Sequence, residues 1–128
     1  MEKAEFINSA KEIIEKVVNI LAAKDYAKLT EVISLDNSWV EPGMTMEEAS
    51  VSFGEWLDES LRMWSEDYGK DIVIDKFDES SLEELEVIKD RIVVSYDPTS
   101  NGERLDIWFE FKFILENDEI KGIFNIGV

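Results

Sequence analysis

The sequence predicts an α+β fold, with three N-terminal helices packed on a curved antiparallel sheet of four to five strands. Two observations predict it. As far as about residue 68 the apolar residues recur every three or four positions, and from residue 71 onward they recur every second position. Helices that precede a run of strands segregate onto an antiparallel sheet. A third observation sets the scale: 128 residues with 45% hydrophobic side chains suit one domain, 1–128, with its own core.

The first helix covers about 3–24, with Phe6, Ala10, Ile13, Ile14, Val17, Ile20 and Leu21 on one stripe. Asp25 caps a second, short helix over about 25–34, whose apolar face is Tyr26, Leu29, Val32 and Ile33. Trp39 and Val40 form a short strand ahead of the Pro42-Gly43 turn. Thr45 and Glu48 then stand at capping-box spacing and open the third helix. Ala49, Phe53, Trp56, Leu57, Leu61 and Trp64 form its stripe, and Gly69 ends it. Gly54 inside that helix costs about 1 kcal/mol relative to alanine, which points to a close packing contact there.

Strands follow. The first spans 71–77, and the polar stretch 78–85 holds one helical turn capped by Ser80 or Ser81. The second spans 86–96, with Ile92, Val94 and Tyr96 on one face, and 97–102 is a hairpin loop. The longest spans 103–115. Leu105, Ile107, Phe109, Phe111, Phe113 and Leu115 share one of its faces; Asp106, Trp108, Glu110, Lys112 and Ile114 share the other. Asn117-Asp118 makes a tight turn into a last strand, 120–128, where Gly122 and Gly127 mark bends. The phenylalanine face needs a cover, and the helices are the available one.

Charge and missing residue types narrow the function. There are 30 Asp+Glu against 13 Lys+Arg, a net charge of −17, and neither histidine nor cysteine. Disulfides, thiolate chemistry and imidazole catalysis are excluded. Carboxylates, Tyr, Lys and Arg remain, and no cofactor or metal is expected. The negative charge disfavours nucleic acid and anionic membranes and favours a basic partner. The acidic N-terminal stretch does not read as a secretory signal, and no apolar run approaches the ~20 residues of a membrane span. A cytoplasmic protein is expected. Asp97, Thr99, Asn101 and Gly102 imitate the start of a calcium loop, but the twelfth position is Trp108, where a glutamate is needed.

The segment Leu21-Ala22-Ala23-Lys24-Asp25-Tyr26-Ala27-Lys28-Leu29, followed by Trp39-Val40-Glu41-Pro42-Gly43, resembles the opening of nuclear-transport-factor-2-like (SnoaL-like, cystatin-like) domains. In those domains the first helix ends in a small-residue–Asp–Tyr/Phe stretch, and a Trp-bearing strand and a Pro-Gly turn precede the third helix. The order of elements agrees with that cone-shaped fold along nearly the whole chain. The resemblance implies a fold that hosts isomerases, dehydratases, cyclases, ligand binders and transport adaptors, so it does not by itself assign a function. Its enzymes place an Asp, often with His or Tyr, inside the cone. No histidine is present here, so an Asp–His dyad is not carried over and no catalytic residue is assigned.

Candidate sites follow from the aromatics and charges. Trp39, Trp64, Tyr68 and Tyr96 are the expected ligand-binding set at the mouth of the cone, suited to a small apolar ligand, with core packing as the alternative. Trp108 stands opposite the phenylalanine ladder and, with Asp106, Glu110 and Lys112, forms the expected interface set. The resemblance implies a homodimer through this outer sheet face. A tryptophan flanked by carboxylates also suits a cationic ligand or a basic protein. Asp58, Glu59, Arg62 and Glu66 lie on neighbouring turns. They read as surface ion pairs, or as a carboxylate pair with one raised pKa. The expected function is a non-catalytic protein-interaction or ligand-binding module, immunity-protein-like, with a basic partner. The alternative is a SnoaL-like pocket with carboxylate-based isomerase or dehydratase chemistry, Tyr68 or Tyr96 donating the proton.

Overall fold

Helical spacing gives way to alternation where the chain turns from helices to strands. In the computed structural model, which describes residues 1–128, helix α1 is Lys3–Ala23 and helix α2 is Met46–Tyr68. Between them Tyr26–Glu31 is a 3-10 helix rather than an α-helix. Asp25 does not cap it through its side chain; its carboxylate pairs instead with Lys28 at 2.9 Å. The start of α2 has the capping box that the spacing predicts. Thr45 Oγ1 accepts from the Glu48 N–H at 3.1 Å, and Glu48 Oε1 accepts from the Thr45 N–H at 3.2 Å. Gly69, at φ 66°, ends the helix in the left-handed region.

Strand β1 is Ser34–Leu35, five residues before the expected Trp39-Val40 strand. Asn37–Trp39 is instead a 3-10 turn, capped by the Asp36 carboxylate, which accepts from the Ser38 N–H at 3.0 Å. The turn swings Trp39 inward onto Phe53, with ring centroids 4.9 Å apart.

The remaining strands are β2 (Arg91–Tyr96), β3 (Thr99–Ser100), β4 (Glu103–Arg104), β5 (Trp108–Glu116) and β6 (Glu119–Gly127). The main sheet has the order β1-β6-β5-β2. It is antiparallel except at β1, which runs parallel to β6. The pair β3-β4 forms its own small sheet around the Asn101-Gly102 turn.

Three strand expectations change. Segment 71–77 buries Ile72 and Ile74 in alternation but belongs to no strand. Its N–H groups go largely to side chains: Ile72 to Ser65 Oγ, Val73 to Ser100 Oγ and Phe77 to Asn19 Oδ1. Strand β2 starts at Arg91 rather than 86, because Lys89 turns through positive φ. The long strand is interrupted: β4 turns towards β3, and β5 begins at Trp108. In 79–81 the helical turn is capped by Asp78, not by a serine.

Phe109, Phe111 and Phe113 of β5 point to the helices, beside Phe124 of β6 and Ile92, Val94 and Tyr96 of β2. Phe6, Ala10, Ile14, Val17 and Leu21 of α1 and Ala49, Phe53, Leu57 and Leu61 of α2 complete this core. One continuous cluster of 26 buried residues results. Gly54 makes the close contact its cost implies: a Cβ there would fall inside the Tyr26 ring. No helix is long and apolar enough to cross a membrane.

Candidate functional site

A cleft of about 370 Å³ opens between the end of α2 and the β3-β4 hairpin. Trp64 and Tyr68 come from α2, Ile72 from the segment after it, and Leu105, Asp106 and Ile107 from the bend before β5. Ile72 and Ile107 are buried and form its floor, whereas Tyr68 is 64% exposed at its rim. Such a volume falls within the usual range of small-molecule sites.

The hairpin wall is held by Asp75. Its carboxylate accepts from the Thr99 hydroxyl at 2.7 Å and from the N–H groups of Asn101 and Gly102, each at 2.9 Å. Burial works to raise the Asp75 pKa. The hydrogen bonds from Gly102, Thr99 and Asn101 outweigh it and hold the carboxyl below its ordinary value. An ion pair of 2.7 Å between Lys70 and Glu103 ties the end of α2 to the same hairpin.

Trp64 and Tyr68 thus meet in the cleft, but the other two members of the expected ligand set lie elsewhere. Trp39 packs on Phe53 and Trp56, and its Nε1 donates to Asn125 Oδ1 at 2.9 Å. Tyr96 is buried between Phe77 and Phe109, with ring centroids 5.5 and 6.0 Å away. Its hydroxyl accepts from the Asp78 N–H at 2.9 Å, and burial pushes its pKa up.

Three of the four expected interface residues do share a face. Trp108, Glu110 and Lys112 project from β5 away from the core, and Asp106 lies in the bend, lining the cleft instead. The ladder register aligns this outer face in rows: Glu116–Glu119, Arg91–Ile114–Lys121, Val93–Lys112–Ile123, Ser95–Glu110–Asn125, and Trp108–Gly127; Lys121 pairs with Glu116 at 2.9 Å. Trp108 lies over Gly127, where a Cβ would fall inside its ring, and its Nε1 donates to Glu110 Oε1 at 2.8 Å. Val93, on the edge strand β2, is 73% exposed on this face.

The carboxylates on α2 form ion pairs. Arg62 donates to Glu59 at 2.5 and 3.1 Å and to Glu66 at 2.6 Å. Arg62 lowers the Glu59 pKa, the opposite of what a carboxylate proton donor needs. Asp58 accepts from the Tyr26 hydroxyl at 2.5 Å, and burial, then that bond, raises the Tyr26 pKa. No Asp or Glu is among the 30 buried residues; the buried polar side chains are Ser50 and Ser100. No three carboxylates converge as a metal-binding group.

Sequence spacing missed Asp75 and the cleft floor. Asp75 meets its partners 24–27 positions later, beyond any local period. No local signal announces the bend before β5, because Asp106 between Leu105 and Ile107 reads as ordinary strand alternation. Comparison of the chain with protein-family models and with curated proteins finds no match.

Proposed function

We propose that the protein is a non-catalytic interaction module of cone-shaped, nuclear-transport-factor-2-like build that works in the cytoplasm. A second copy docks on the outer sheet face, and the remaining acidic surface meets a basic protein, as an immunity protein meets a basic toxin. The observation that carries this reading is the segregation of charge. The outer-face rows hold Arg91, Lys112 and Lys121 against Glu110, Glu116 and Glu119, a balanced face in a chain of net charge −17. Two copies of so acidic a chain repel each other through most pairings. On this face repulsion is weakest, and Val93, Ile114 and Ile123 supply apolar area. A carboxylate of one copy, Glu110, has cations to meet on the other.

Every carboxylate reaches solvent, so the acidic surface is free to steer a basic partner. Binding of the immobilised chain to basic proteins such as cytochrome c and lysozyme, measured from low to high salt, tests this part. Affinity that falls steeply with salt is expected; no binding at low salt would overturn it. A second reading, a small apolar ligand in the cleft, is favoured by Trp64 and Tyr68 meeting over a buried floor. With no buried carboxylate at hand, that reading is carried as binding, without isomerase or dehydratase chemistry.

A further inference from the structure

The charges around the cleft are unequally committed. Two cations line it, and both are engaged: Lys70 Nζ with Glu103 at 2.7 Å and Arg104 Nη2 with Asp97 at 3.2 Å. Two acids line it without an ion pair. Asp71 takes part only through its backbone carbonyl, which accepts from Asn101 Nδ2 at 3.4 Å, and Asp106 has no side-chain hydrogen bond. They stand on different segments, one following α2 and the other preceding β5.

We infer that the cleft takes a small organic cation with an apolar body, a protonated amine or a quaternary ammonium. This rests on the ligand-binding reading above and adds the head group to it. Ile72, Ile107 and Leu105 receive the apolar body. Trp64 and Tyr68 offer aromatic rings to the body or to the cation. Asp71 and Asp106 supply negative charge that no protein cation neutralises. The overall charge of −17 draws cations towards the mouth and repels carboxylate or phosphate ligands. The wall does not need to be built on binding, because Asp75 already fixes Thr99, Asn101 and Gly102.

Three probes of one shape test the inference: 4-phenylbutylamine, 4-phenyl-1-butanol and 4-phenylbutyrate. Each is titrated into the full chain, and the indole N–H signal of Trp64, assigned through Trp64→Phe, is followed by NMR. The amine is expected to shift that signal and to bind about tenfold more tightly than the alcohol, with the acid weakest. In Asp71→Asn/Asp106→Asn, where both sites are exposed, the amine is expected to fall to the affinity of the alcohol. Equal affinity of alcohol and amine would overturn the cation while leaving the cavity reading intact. The same amine preference in the double variant would overturn it too, by tracing the preference to the general field. No shift at Trp64 with any probe would overturn both readings.

Discussion

Gly54 and Tyr26 show how one missing methyl group positions a side chain. In a helix interior, glycine to alanine ordinarily gains about 1 kcal/mol. Here the added Cβ would enter the Tyr26 ring, which must shift and give up its bond to Asp58. Gly54→Ala is therefore expected to destabilise, by about 1–3 kcal/mol, read from the urea midpoint. Asp75 carries a pH dependence. Its pKa is lowered in the folded chain. Its contribution is thus complete above the ordinary carboxylate value of about 3.9 and is lost as pH falls through the lower folded value. Asp75→Asn should lower the thermal midpoint at pH 6–7, and its gap to the parent should close as pH drops below about 4. An equal gap at every pH would show that the charge of Asp75 contributes nothing.

Elements whose signals are local were legible in the sequence. The Thr45–Glu48 capping box and Gly69 bracket α2 because each acts within one turn of its own position. Thr45→Ala should cost about 1 kcal/mol in urea unfolding; a change within error would mean the box is not holding the helix start. The inward Phe109-Phe111-Phe113 ladder was legible for the same reason, since alternation is a property of the strand itself. Segment 71–77 alternates equally well but joins no ladder, because Ser65, Ser100 and Asn19 side chains take its donors. Those partners come from elements far along the chain, and no period announces them. The same limit hid the cleft. Trp64 and Tyr68 were read as ligand-facing, yet Tyr96 and Trp39, grouped with them, found partners in Phe77, Phe109 and Phe53.

Across the whole molecule the charge is uneven, and the unevenness bears on assembly more than its total does. Three of the 13 cations, and three of the 30 acids, stand in the rows of the outer sheet face. Salt should tighten self-association through this face, because screening relieves repulsion between the acidic remainders, while it weakens capture of a basic partner. Opposite salt responses thus separate the two contacts. The most direct measurement is sedimentation equilibrium of the parent chain and of Val93→Glu/Ile123→Glu at matched concentration and moderate salt. The account predicts a dimer for the parent and a folded monomer for the variant. A parent that stays monomeric at 100 μM (roughly the range where weak interfaces assemble), or a dimer that the two substitutions leave intact, would contradict it.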